Sequence, residues 1–216
     1  MSIPFRTADD VGAAIPMVRD HLAHAGLLGY PTETVYGLGS RAIEADVLRL
    51  ASLKGRSPGK PFLLLVASRT MAERQGLRFT AAANTLAATF WPGPLTLVLG
   101  GAEGRLPDLL RGPEGGIAVR WTGHAGMARL IEALNEPLTS TSANRPGAAT
   151  APGAPALEAQ FADAVRDRTL LVLDGGTIGN VPPSTVVDCT GTTPRLVREG
   201  AIRRAELRRR AASHAP

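Results

Sequence analysis

The sequence predicts an α/β fold, a central mixed sheet with helices on its faces. Three features carry that expectation. Helical patterns alternate with short apolar runs along most of the chain. The run Phe62–Ala67 is continuously apolar, as a strand covered on both sides must be. The last three strand candidates, 170–173, 184–188 and 195–198, follow one another without a helical stretch, which argues against an all-parallel sheet. At 216 residues the chain is the size of about one domain and needs no disulfide or metal to close its core.

The elements follow in order. Thr7 with Asp9 and Asp10 marks a helix start, and Val11, Ile15, Val18, Leu22 and Ala25 recur on one helical face. Pro16 interrupts that pattern and predicts a kink or a restart. Gly26–Tyr30 reads as a short strand running straight into Pro31–Leu38, and 44–53 as a helix with Val47, Leu48 and Ala51 inward. After the Phe62–Ala67 strand comes a helix over Thr80–Phe90, ended by Trp91-Pro-Gly-Pro94. Leu95–Leu99 and Ile117–Trp121 are strands on either side of a glycine-rich loop, and His124–Leu134 is an amphipathic helix. Leu138 opens a segment leading into the polar stretch Ser140–Asn144. Residues 146–155 read as a loop and 156–168 as a helix, before the three closing strands.

Composition excludes several classes. Cys189 is the sole cysteine, which rules out a disulfide framework and a thiolate zinc cluster. No apolar run reaches the roughly 18 residues of a membrane span. The opening MSIPFRTADD lacks the basic and apolar regions of a secretory signal, so a cytoplasmic protein is expected. The net charge is +5, yet Arg203–Arg210 holds five arginines against one glutamate, leaving +1 for the rest. That basic tail reads as a solvated helix end or as a weak RNA contact. Among 24 lysines and arginines the two lysines, Lys54 and Lys60, share one Gly/Pro-rich segment. Ammonium groups serve phosphate as flexible point charges.

Familiar motifs fail on inspection. Gly37-Leu-Gly-Ser-Arg-Ala42 fits a dinucleotide fingerprint, but it does not sit directly between a strand and a helix and lacks the acidic residue about 20 positions on. Gly55–Lys60 is one residue short of a P-loop, and Pro61 replaces the hydroxyl residue that holds magnesium. His21 and His24 lack a third ligand, no nucleophile elbow precedes an acid and a histidine, and Cys189 reads as packing.

Polar segments at strand ends remain. Thr32 and Thr34 flank Glu33 after a strand, as a ligand site or as a turn closed by its own hydroxyls. Lys54, Arg56 and Lys60 bring three cations into one loop, suited to a polyphosphate or simply solvated. Arg120 interrupts an apolar strand and needs an anion or a rim position. The hydroxyls of 139–142 with Asn144 are a dense donor cluster, able to meet phosphate oxygens or to cap a helix. Together they describe a cationic, hydroxyl-lined cavity for an anion larger than one phosphate.

At these residues the chain resembles a known family. Tyr30-Pro-Thr-Glu-Thr-Val-Tyr-Gly-Leu-Gly39, Lys54-Gly-Arg56, Trp91-Pro-Gly-Pro-Leu-Thr96 and Ser142-Ala-Asn144 are similar to the signatures of the YrdC-like family, the threonylcarbamoyl-AMP synthases. Ser184-Thr-Val-Val-Asp188 and Leu196-Val-Arg-Glu-Gly-Ala201 fit its closing segments, so the likeness runs from about Gly26 to Ala201 in order. It implies a twisted, open mixed sheet with helices on its faces and a basic concave cavity. Residues 1–201 would be the catalytic domain and 202–216 a basic C-terminal tail, as in the short single-domain bacterial form. The implied reaction is L-threonine, bicarbonate (or carbon dioxide) and ATP giving threonylcarbamoyl-AMP and pyrophosphate. A separate transferase complex would use that product to modify the adenosine beside the anticodon of certain tRNAs.

The resemblance also implies roles. Lys54 and Arg56 are catalytic and hold the ATP phosphates, stabilising the reacting α-phosphorus and the departing pyrophosphate. Lys60, Ser142, Asn144, Thr150 and Arg198 join them at the nucleotide. Thr34, Arg120, Ser140 and Ser184 bind threonine, Arg120 through its carboxylate. No covalent nucleophile is required, and magnesium accompanies the ATP without a carboxylate cage of its own. The chain departs from the family at Ser57 and Pro146, where proline and serine are frequent, at Thr122, often proline, and at Leu65, a histidine in some members. A non-enzymatic RNA-binding module, or a branch with another carbamoyl or acyl acceptor, is the competing expectation.

Overall fold

The computed structural model describes residues 2–56 and 60–212, so the Ser57 departure lies outside the described residues. The chain opens with β1 (Ser2–Pro4), α1 (Ala8–Ala23), β2 (Leu27–Tyr30), β3 (Gly37–Gly39), α2 (Glu44–Lys54) and β4 (Leu63–Val66). Next come α3 (Arg69–Arg74), β5 (Leu77–Arg78), α4 (Ala81–Phe90), β6 (Leu95–Gly101), β7 (Ile117–Trp121), α5 (Ala125–Leu134) and β8 (Leu138–Ser142). The last part holds α6 (Ala154–Gln160), α7 (Ala162–Arg166), β9 (Leu170–Asp174), β10 (Thr185–Asp188), β11 (Arg195–Arg198) and α8 (Arg204–Ala212).

Ten strands run in the order β1-β9-β2-β3-β8-β4-β7-β6-β10-β11, and β5 pairs with β6. The pairs β1–β9, β9–β2, β4–β7 and β6–β10 are parallel, while the others on this path are antiparallel. The mixed sheet is therefore as expected. β4, at its centre, buries Leu64, Leu65 and Val66 completely, in keeping with its unbroken apolar run.

Local chemistry explains most boundaries. A capping box joins Thr7 and Asp10 at the start of α1, and Thr80 caps α4 through the amide of Ala83. Of the kink or restart expected at Pro16, the restart is not found. α1 runs through it as one element, held by the cap and by burial of Val11, Ala14, Val18 and Leu22. In α2 the inward residues are Val47 and Leu50, whereas Leu48 is half exposed; the helical phase lies slightly away from the one expected. The helix expected over 156–168 starts earlier, at Ala154, and divides at Phe161, whose fully buried ring anchors the break between α6 and α7. β1, β3, α3 and β5 carry too few residues to show a period and were not expected.

One close approach matters for the site. Gly39 of β3 lies so near β8 that a Cβ there would sit 2.2 Å from the Thr139 carbonyl, and the Tyr30 hydroxyl donates to that same oxygen at 3.0 Å. Only glycine lets β3 pass between the Tyr30 ring and β8.

Candidate active site

Register brings the polar segments together. β3 pairs Gly37 with Ser142, β4 pairs Leu63 with Ser140 and Leu65 with Arg120, and β10 pairs Val186 with Thr96. Strands alternate their faces, so Ser140, Ser142, Arg120, Thr96 and Ser184 meet over the middle of the sheet. They line a cavity of about 310 Å³, closed by the Thr32–Thr34 turn, by Arg56 from beyond α2 and by Arg198 from β11. A groove of about 1040 Å³ beside α1 and α7 is larger, but it contains none of Thr34, Arg56, Arg120, Ser140, Ser142, Ser184 and Arg198.

One wall is a compact turn. The Thr32 hydroxyl donates to the Val35 carbonyl at 2.7 Å and accepts from the amides of Thr34 and Val35. Thr34 Oγ1 then receives Arg120 Nη1 at 3.3 Å. Arg120 is only 4% exposed, and its Nη2 reaches Glu33 Oε2 at 3.4 Å, an oxygen that also accepts from Thr122 at 2.6 Å. Burial pushes the Glu33 carboxyl up, but the Arg120 guanidinium and the Thr122 hydroxyl outweigh it and hold it below the usual range. Arg120 Nε and Glu33 Oε1 are buried without partners.

The opposite wall is cationic. Arg56 donates to Thr141 Oγ1 at 2.8 Å and to the Lys60 and Pro61 carbonyls at 2.5 Å, with its guanidinium 4.4 Å from the Phe62 ring centre. Arg198 donates to the Ser184 carbonyl at 2.9 Å, and Ser184 Oγ shares a 2.8 Å hydrogen bond with Thr96 Oγ1. Burial presses Arg56, Arg120 and Arg198 alike below the ordinary guanidinium range, and Arg198 adds its repulsion to Arg120. Three cations around one cavity, Arg120 buried, Arg56 half-buried and Arg198 exposed, favour an anionic ligand.

The remaining expected residues lie further out. Lys54, 6% exposed, stands behind the cavity wall, with Nζ donating to the Ser142 carbonyl at 2.6 Å, to Asn144 Oδ1 at 2.7 Å and to the Asn144 carbonyl. Burial, aided by Arg56, pulls its ammonium down to about 8. Asn144 turns into its own loop, its amide nitrogen donating to the Arg145 and Ala148 carbonyls. Lys60 borders a neighbouring depression that shares Arg56 and Pro61 with the cavity. Thr150 is half-buried two residues past Ala148 and outside the cavity lining. Thr139 faces away, bonding Ser40.

Of the departures, Leu65 is fully buried, Thr122 anchors Glu33, and Pro146 packs near Gly55 at the end of α2. Thr96 also lines the cavity, and its signal in the sequence is a lone threonine in an otherwise apolar strand. His21 bonds the Leu27 carbonyl, and Cys189 is buried, its thiol pushed up to about 12 by burial and by Asp188. Among the described residues no cluster of three or more His, Cys, Asp or Glu could hold a metal ion, and no helix is long and apolar enough to cross a membrane.

A hydroxyl-lined, triply cationic cavity over the centre of a mixed sheet defines an α/β protein built to hold an anionic, hydrogen-bonding ligand. Comparison with known proteins narrows the class. The family model for Sua5, YciO and YrdC, described as telomere recombination, matches residues 20–200. The chain belongs to that family. It is 36% identical over 183 residues to the threonylcarbamoyl-AMP synthase of Chromohalobacter salexigens, covering 84% of this chain and 94% of that one. It is 35% identical over 182 residues to the synthase of Pyrococcus abyssi, where it spans 84% of itself but only 52% of that longer protein. The structure of P. abyssi Sua5 complexed with L-threonine superposes with a TM-score of 0.85 at 31% identity, covering 97% of this chain and 60% of that one. The fold expectation, a YrdC-like α/β sheet, thus holds.

Proposed function

We propose that this chain is an L-threonylcarbamoyladenylate synthase, condensing L-threonine, bicarbonate and ATP into threonylcarbamoyl-AMP with release of pyrophosphate. The observation that carries this reading is the single cavity in which threonine-sized hydroxyl contacts face three guanidinium groups. At one end Thr34, Ser140 and Ser184 offer short alcohols beside Arg120, suited to the hydroxyl and carboxylate of the amino acid. At the other, Arg56 and Ser142, with Arg198 beside Ser184, would meet the phosphates, and Lys60 borders the adjoining depression on the Arg56 side. The similarity to a Sua5 complexed with L-threonine supports the first assignment.

The chemistry then needs no covalent intermediate on the protein. Threonine and bicarbonate condense to the carbamate with loss of water, and a carbamate oxygen forms a bond to the α-phosphorus as the bond to pyrophosphate breaks. The protein positions the two reactants and neutralises the charge that gathers on the phosphoryl oxygens. Magnesium would enter with the nucleotide substrate, where it would neutralise phosphate charge alongside Arg56. The reading places the protein in the cytoplasm, passing its product to a tRNA threonylcarbamoyl transferase complex.

The test is pyrophosphate release from ATP, which should require both L-threonine and bicarbonate and should fall when serine replaces threonine. Equal release with threonine omitted would overturn the assignment.

A further inference from the structure

Lys54 sits in the last turn of α2 and holds one of the two lysine side chains in the chain. An ammonium has three N–H donors. Here all three are engaged, by the Ser142 carbonyl, the Asn144 carbonyl and Asn144 Oδ1, with Ser142 Oγ a further 3.5 Å neighbour. Lys54 is nearly fully buried and does not line the cavity. Its targets open a tight turn, in which the Asn144 amide nitrogen spans to the Ala148 carbonyl, the Ala148 amide donates to Arg145 and the Ala151 amide to Ala143. The same turn rests on the end of α2, where a Cβ on Gly55 would touch Pro146 at 3.4 Å. Ser142 Oγ, the one group of this turn that lines the cavity, is aimed by its 2.6 Å bond to Asn144 Oδ1, the oxygen that Lys54 also holds.

We propose that Lys54 is a positioning residue, a cross-brace that ties the 142–148 turn to the end of α2 and so presents Ser142 to the nucleotide. The role differs from a direct phosphate contact, because an ammonium already sharing three carbonyl-type acceptors has no donor left to offer. Removing it leaves the Ser142 carbonyl with the Asn144 amide and Asn144 Oδ1 with the Ser142 hydroxyl, and withdraws the charge that draws the three oxygens together.

The brace rests on the reading under Proposed function for its kinetic consequence only; its structural part is read in protein without nucleotide. Hydrogen exchange of the amides of Asn144, Ala148 and Ala151 should quicken at least tenfold in Lys54→Met, while amides of α4 and α5 keep their wild-type rates and report an intact fold. Asn144→Ala cuts the brace from the other side and should loosen the same amides. The double variant should go no further than either alone. In the synthase assay both variants should raise the KM for ATP with a smaller fall in kcat. Wild-type exchange across the turn in a folded Lys54→Met that has lost pyrophosphate release would overturn the brace and restore a direct phosphate contact. A fully additive double variant would overturn it too.

Discussion

Replacing Arg120 with methionine removes the cation from the centre of the cavity and leaves the Glu33 carboxylate with the Thr122 hydroxyl and the nearby Glu33 and Gly123 amides, without a charged partner. At an effective dielectric near 20, two unit charges 3.4 Å apart attract by about 5 kcal/mol, before desolvation offsets part of it. Breaking a buried pair by deleting one partner costs about 3–5 kcal/mol. Glu33 keeps 21% of its side chain exposed, so we expect the lower end, about 3 kcal/mol, in urea unfolding at neutral pH. The double variant Arg120→Met/Glu33→Gln leaves no charge stranded and keeps an acceptor for Thr122; it should cost about 1 kcal/mol or less. The acid limb gives a second reading. The Glu33 carboxyl is held below its ordinary 4.5, so its stabilising share is complete above that value and is lost as pH falls through the lower folded value. In Arg120→Met that acid-side loss should shrink. A single variant costing under about 0.5 kcal/mol, or a double as costly as the two singles summed, would refute the reasoning.

Two further outcomes follow from the same site and its surroundings. Ser184→Ala deletes one half of the 2.8 Å pair with Thr96, leaving a buried hydroxyl without its partner; the KM for threonine should rise about tenfold, the scale of about 1–2 kcal/mol, with the KM for ATP little changed. Cys189, buried and with its thiol pushed up to about 12, should resist thiol reagents at pH 8 in the folded protein and react at once in urea, as absorbance of the released chromophore would record.

Much of the fold was legible because its core strands obey simple rules. β4 reads as a buried strand from six apolar residues in a row, and α4 announces itself through Thr80 and the Trp91-Pro-Gly-Pro94 stop. What escaped notice was short or governed by distant contacts. β3 is three residues, two of them glycine, and exists because β2 and β8 flank it; no local propensity signals that. Leu48 fits an apolar stripe by spacing, yet α2 buries Val47 and Leu50 and leaves Leu48 half exposed, a phase set by packing. The hydroxyl cluster at 139–142 was visible as composition, but strand alternation turned Thr139 toward Ser40 and sent Ser140 and Ser142 to the cavity. The ion pair of Arg120 with Glu33 was half legible. A lone arginine in an apolar strand demands an anion, while its partner lies 87 residues away and only the fold brings the two together.

The rim of the sheet has a consequence for how the cavity's cations are held. β11 is the last strand and has a neighbour on one side alone, yet it carries Arg198 into the cavity. Every other strand that furnishes the floor is laced on both flanks. Fraying is least costly where the lacing is single. Arg198 thus stands on the one cavity strand that is held along a single flank, whereas Arg120 and the hydroxyls of β8 stand on strands held along both.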